Sequence, residues 1–387
     1  DVRSNPPASR AAGSAAAAMT AQSLVFCGDL VLDEPDPGHW LSGIAPCLRA
    51  AQLTVGHLEV PHTRRGREMA ADVPAPGADP AHLAAVADAG IDVVTLAGNH
   101  MADCGAEGIL DTLAELDRLG IGHCGAGGNL QQARRPAWYE CDGLRVAVLS
   151  YNCVGPEESW ARPDRAGCAY VRVFAQDGGA IRPAAQLQTA DSASVQQMAD
   201  DIANARRAGA QLCAVALRKG IVHTPVTLAP YERPLAHAAS DAGAHLVIGH
   251  HAHILRGIEQ YRGRPIFHGL GNGCVVTRAL SPDQDNPKRA EWARRRRDMF
   301  GFEPDPRYFL APFHPQAVHG MLARVLIEEG RLSAVGFIPV FVEPPGRPTR
   351  AQAAAAGAVV RYVAHISREA GLPPLTYTVA EDMVRIT

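Results

Sequence analysis

Short apolar runs alternate with amphipathic segments through the first 270 residues. Ser23–Cys27, Leu53–Val55, Asp92–Leu96, Leu144–Ser150, Gln211–Leu217 and Leu246–Ile248 read as strands. Each is brief, apolar and bounded by turn residues, as in parallel strands buried on both faces. Leu41–Ala51, Ala81–Ala89, Gly105–Leu119, Asp191–Ala208 and Pro230–Ala242 read as helices. Ile109, Leu110, Leu113 and Leu116 recur at helical spacing before a stop at Gly120. Asp191 or Ser192 caps the next long helix, which turns Val195, Met198 and Ile202 inward and ends at Gly209. Later, His319–Ile327 and Leu332–Val342 form a hairpin across Glu328–Arg331, and Thr349–Ile366 forms a last helix. Strand–helix alternation predicts a largely parallel α/β core. The late hairpin adds antiparallel strands, an order that suits stacked sheets with outer helices.

The ends of the apolar runs carry the chemistry. Leu246–Ile248 leads into Gly249, His250, His251, Ala252 and His253. His251 and His253 lie two apart, so in extended backbone they would point the same way. Asp29 follows Gly28, Glu59 lies just beyond Gly56, and Asn99-His100 follows Gly98. A lone polar residue after a strand is usually a turn former or a helix cap. Four such ends with compatible ligand chemistry point to one site at the carboxyl edge of a sheet.

Composition narrows the classes. Lys and Arg total 37 against 40 Asp and Glu, a formal charge of −3, which gives no case for nucleic-acid binding. No apolar run reaches membrane-spanning length, so no membrane partner is expected. The nine cysteines have no CxxC spacing, which suggests free thiols in a reducing cytoplasm. Residues 1–18 are Ala/Ser/Pro/Arg-rich and read as a vector-like tail. Residues 19–387 read as one domain with insertions near 151–182 and 276–318, the first of them lid-like. Oligomeric state is not legible.

Gly28-Asp29, Leu58-Glu59, Asn99-His100 with Asp103, Gly249–His253 and Leu270-Gly271-Asn272 together resemble the calcineurin-like metallophosphatase superfamily, in its capsule and poly-γ-glutamate biosynthesis (CapA) branch. The resemblance covers about residues 23–342. It implies an α/β fold, a calcineurin-like four-layer αββα sandwich, with a metal centre at the strand ends. It implies Asp29, Glu59, Asn99 and His251/His253 as metal ligands, with His251 the histidine expected nearest the ion. His100, oriented by Asp103, stands where phosphatases protonate the leaving group.

The departures redirect the chemistry. Asp29-Leu30-Val31 lacks the usual Asp-x-His, and His57-Leu58-Glu59 replaces the branch's Asn-Leu-Glu. Arg218-Lys219-Gly220 stands where the branch carries His-Trp-Gly, and arginine cannot ligate a metal. His223 could substitute only if its loop bends back. One divalent ion is therefore expected rather than two. The oxygen-rich set suits Ca²⁺ best, with Mn²⁺ or Zn²⁺ as alternatives.

The groups that remain suit proton transfer. His100 with Asp103, and His253 (or His251) with Asp29, could act on two faces of one carbon. This altered set resembles the epimerases of lasso-peptide biosynthesis, which implies inversion of a C-terminal residue, tryptophan in that group, on a ribosomal precursor peptide. Arg218, Lys219, His57 and His314 are the expected substrate contacts. A metallophosphoesterase and a non-catalytic capsule-assembly or peptide-binding protein are the alternatives. The basic run Pro287–Arg297 reads either as a solvated helix face or as a clamp for a carboxylate.

Overall fold

The computed structural model describes residues 21–69, 77–380 and 382–387. The expected vector-like tail and half of the Pro/Gly-rich loop at 73–80 lie outside these residues. Two mixed sheets face each other. In the ten-stranded sheet, Gln22–Leu32, Leu53–Leu58, Val93–Thr95 and Gly122–Cys124 run parallel in that order. The hairpin His319–Glu328/Arg331–Glu343 joins Gln22–Leu32 antiparallel. In the six-stranded sheet, Leu144–Asn152, Leu212–Arg218, Leu246–His250 and Arg264–Phe267 run parallel.

Apolar side chains bind the layers in sequence. Phe26, Val55 and Val93 of the first sheet meet Val148, Ala214 and Ile248 of the second in one buried cluster. The first sheet's other face packs Val25 and Val94 against Leu48, Leu83, Ile109 and Leu116 from helices. The second sheet's outer face packs Leu149, Val215 and Val247 against Met198, Ile202 and Leu235. The result is the helix–sheet–sheet–helix sandwich anticipated from element order. Among the described residues, no helix is long and apolar enough to cross a membrane.

Several local expectations shift. The segment 41–51 is two short helices, Pro37–Leu41 and Ala45–Arg49, because Pro46 can occupy only a first helical turn. In Gly105–Leu119, Leu110 is 47% exposed. Thr112 takes the buried position instead, donating its hydroxyl to the Gly108 carbonyl at 2.7 Å. The stretch 151–182 contains short strands and packs Val154, Trp160, Val171 and Ile181 into the second sheet's core. Asn272–Val276 is a strand missed by its short, Gly-led pattern; it pairs parallel with Gln22–Leu32.

Two glycines set the edge where these strands stop. A Cβ on Gly28 would lie 2.2 Å from the Gly271 carbonyl oxygen, and one on Gly249 would lie 2.0 Å from that of His268. Backbone therefore passes against backbone at the two points where Asp29 and the histidine stretch enter the site. Gly249→Ala should lower unfolding free energy by roughly 1–3 kcal/mol through overpacking. A urea titration checks this; an unchanged midpoint would mean that the edge has slack.

Candidate active site

Every expected metal-site residue lies at a carboxyl strand end. Asp29 belongs to Gln22–Leu32, Glu59 follows Leu53–Leu58, and Asn99-His100 lies just past Val93–Thr95. From the facing sheet, Arg218 ends Leu212–Arg218 and His250 ends Leu246–His250. Parallel strands deliver these residues together because their ends line up on one edge.

Arg218 is the centre of the arrangement. It is fully buried, and its guanidinium donates from Nε to Asn99 Oδ1 at 2.9 Å, from Nη1 to Asp29 Oδ2 at 2.9 Å and from Nη2 to Glu59 Oε1. Three expected metal ligands thus hold one organic cation. Burial alone would raise the Asp29 carboxyl, but Arg218 and then His250 hold it well below the usual carboxylate range. Glu59 is likewise lowered against its burial by Arg218 and His253.

The expected substrate contacts are not assembled. Arg218 is consumed in this internal network. Lys219 is fully buried, donating to Glu232 at 2.8 Å and lying 3.3 Å from His268 Nδ1. His57 is 1% exposed, stacks on His250 at 4.5 Å and lies 2.9 Å from Thr95 Oγ1. Burial pushes its ring well below the usual histidine range. His314 caps the turn Pro315–Val318, accepting the Gln316 N–H, and its ring faces Phe302. None of these side chains faces the cavity described next.

A cavity of about 150 Å³ opens above Arg218, lined by Glu59, Asn99, His100, His251, His253 and Arg296 with apolar Val31, Val60, Phe300 and Phe313. His100 Nδ1 lies 2.7 Å from Asp103 Oδ2, the pair anticipated from their spacing. His253 Nδ1 lies 2.9 Å from Asn272 Oδ1 and 3.6 Å from Asp29, and its Nε2 lies 3.2 Å from Glu59. Phe313 stacks on the His253 ring at 4.9 Å. The two-apart reading of His251 and His253 fails: the strand ends at His250, and φ is +94° at His251 and +54° at His253. Left-handed backbone at non-glycine residues is a strained conformation typical of functional sites. His250, given no role from sequence, is the histidine aimed at Asp29, at 2.9 Å. Asn272 and Arg296 were also missed as individuals, although each lay inside a quoted string.

Asp29, Glu59 and His253 each bring one ligand atom within 4.8 Å of the others. Glu59 Oε2 is buried without a hydrogen-bond partner. These donors fit one ion. A second does not fit, because Arg218 spans Asp29, Glu59 and Asn99 and would repel it. His251 does not join the cluster. Both its ring nitrogens are buried and unpartnered, and burial holds it well below the usual histidine range.

Comparison with known proteins agrees with the strand-end pattern. The family model described as "Bacterial capsule synthesis protein PGA_cap" matches residues 23–275. A probable polyglutamine synthesis accessory protein of Mycobacterium tuberculosis is 37% identical over 184 residues, 46% of this chain and 44% of that protein. The capsule biosynthesis protein CapA of Bacillus anthracis is 28% identical over 188 residues, 49% of this chain and 41% of that protein. The chain thus spans less than half the length of these relatives. Among solved structures, the calcineurin-like phosphoesterase YfkN from Bacillus subtilis aligns with a TM-score of 0.40 and 12% identity, covering 92% of this chain and 97% of that one.

Two stability predictions follow from the buried charges. Arg218→Ala removes the main counter-charge of two buried carboxylates and should cost about 3–5 kcal/mol. Millimolar Ca²⁺ should then raise the variant's melting temperature more than the wild type's; equal shifts would show that Arg218 does not stand in a cation's place. Burial would raise the Glu232 carboxyl, but Lys219 and Arg256 hold it at about 2. Its folded value is below the unfolded one of roughly 4.3. Its contribution is therefore present above about pH 4.3 and lost as pH falls toward 2. Glu232→Gln should flatten that acid limb in denaturation curves; an unaltered limb would exclude this pair as its source.

Proposed function

The chain belongs to the bacterial capsule synthesis family PGA_cap, and from that premise we propose that its site moves a proton at carbon instead of cleaving a phosphoester. The reaction is inversion of the α-carbon of a peptide's C-terminal residue. The observation that carries this reading is the pair His100 and His253 lining one largely apolar cavity, each fixed by its own polar partners. They come from different sheets, one beyond Val93–Thr95 and the other beyond Leu246–His250.

Epimerisation needs one group to take the α-proton and another to return one on the opposite face. His100, with Nδ1 against Asp103, has its ring orientation set, as a general base requires. His253 is set between Asn272 and Glu59. Because the reaction is reversible, the two exchange roles between directions. Each positioned group contributes roughly 10² to 10⁴-fold. The apolar wall of Val31, Val60, Phe300 and Phe313 suits a large apolar side chain and excludes water from the carbanion. Tryptophan is the proposed residue, on the resemblance to lasso-peptide epimerases, and the precursor peptide is the proposed partner.

One Ca²⁺, held by Asp29 and Glu59, would supply positive charge to stabilise the developing enolate. Arg218 supplies fixed positive charge beneath the same carboxylates. The metallophosphoesterase reading is disfavoured because two-metal hydrolysis clamps both attacking and leaving oxygens, and Arg218 leaves room for one ion.

Incubation of a peptide ending in tryptophan in D₂O should place deuterium at one α-carbon, with the D-epimer accumulating. His100→Ala and His253→Ala should each lower that exchange by at least ~10²-fold with melting temperature little changed. Absence of exchange, together with metal-dependent release of p-nitrophenol from a phosphoester, would overturn the proposal. Mass spectrometry of the native protein should find no more than one tightly bound divalent ion per chain.

A further inference from the structure

Three arginines are almost completely buried near the strand ends, and two have hydrogen-bond partners, although Arg256 Nε has none. Arg218 holds Asp29, Glu59 and Asn99. Arg256 donates to the carbonyls of Ile221 and Thr227 and to Glu232. Arg296 is the exception. It is 2% exposed, yet its Nε and Nη1 have no hydrogen-bond partner. Among the described residues, no carboxylate pairs with it.

Its surroundings are aromatic. The guanidinium lies 5.5 Å from the Trp292 ring centre, 5.7 Å from Phe313 and 6.0 Å from Phe302. Cation–π contacts offset part of the cost of burial but leave the N–H groups unmet. Burial lowers its pKa to about 10, so the side chain stays charged at neutral pH. The acids on the same cavity wall are already engaged: Asp33 accepts from the Thr277 hydroxyl at 2.8 Å, and Glu59 accepts from Arg218. His223, also on that wall, has Nδ1 buried without a partner and is pushed down by burial and by neighbouring histidines and Arg296.

A buried, unpaired guanidinium aimed into a cavity is expensive unless an anion arrives to meet it. We propose that Arg296 binds the free α-carboxylate of the peptide's C-terminal residue and so places its α-carbon between His100 and His253. This rests on the epimerase reading and adds its substrate class: peptides with an unblocked C-terminus. The planar fork of N–H donors matches a carboxylate. Phe313 ties the two functions together, lying beneath Arg296 and stacking on His253 at 4.9 Å. The pairing also eases the chemistry. Removing an α-proton beside a carboxylate creates a dianion, and a guanidinium on that carboxylate compensates the added charge.

The test is equilibrium binding, by calorimetry, of three peptides to the full chain: one ending in a free tryptophan carboxylate, its C-terminal amide, and that amide carrying an internal glutamate. The free acid should bind at least roughly tenfold more tightly than the amide. Arg296→Gln should abolish that preference, and Arg296→Lys should keep part of it. Arg296→Gln should also melt no lower than the wild type, since it removes an unpaired buried charge. Equal binding of acid and amide, or an undiminished preference in Arg296→Gln, would overturn the assignment. Equal binding of the glutamate-bearing amide would assign Arg296 to an acidic side chain instead. A lower melting temperature would give it a structural role. Deuterium uptake separates the two proposals. Uptake on the amide at the acid's rate would retain the epimerase and remove the clamp, whereas acid-selective binding without uptake would do the reverse.

Discussion

The structure depends on a single guanidinium. Arg218 comes from the six-stranded sheet, and the groups it binds, Asp29, Glu59 and Asn99, come from the ten-stranded one. The apolar interior between the sheets specifies only that they stack. Arg218 specifies how their carboxyl edges meet, because a planar cation with directional N–H groups tolerates little displacement of three separate partners. At that depth neither the two carboxylates nor the guanidinium could remain charged without the others. The edge is therefore cooperative: losing Arg218 removes the cation that both carboxylates share, and losing any one partner leaves a guanidinium N–H without its acceptor.

That constraint explains which parts of the site were legible in the sequence. The strand ends were, because an apolar run closing on glycine and a polar residue is a local pattern. The carboxyl-edge location follows from parallel pairing, and the His100–Asp103 pair needs only a separation of three residues. What Arg218 does was not legible. It stood in the string Arg218-Lys219-Gly220 as a residue incompatible with a metal and was read as reaching outward to substrate. Its inward direction depends on where the other sheet's carboxylates lie, which no single stretch of chain encodes. The same holds for Lys219, whose partner Glu232 is drawn close by the helix that follows. His251 and His253 failed for a different reason. Their two-residue spacing is informative only while the backbone stays extended, and it does not beyond His250.

Local chemistry also misled at smaller scale. Leu110 fits a helical stripe by sequence, but the buried stripe runs through Ile109, Thr112 and Leu116. Thr112 is acceptable inside because its hydroxyl accepts the His62 N–H at 2.8 Å and donates to Gly108. A polar residue that can satisfy itself within the helix costs little to bury.

The unmet polar atoms include a cluster at the site. Below the strand ends the cations are paired: Arg218 with Asp29 and Glu59, Lys219 with Glu232, Arg233 with Glu259. On the cavity wall the pattern reverses. Glu59 Oε2, His223 Nδ1, both nitrogens of His251 and two of Arg296's donors are buried without partners. Buried polar groups in folded proteins are overwhelmingly satisfied. Six of the unmet atoms share this one wall, where a ligand would complete the hydrogen bonding. That wall carries cationic or neutral nitrogen at Arg296, His223, His251 and His253, and carboxylate at Glu59, so it can receive an anion on one side and a cation on the other. A dinuclear phosphatase would need metal-binding donors on both sides. By building one positive charge into the chain at Arg218, this scaffold engages with its own cation the carboxylates that a second ion would need.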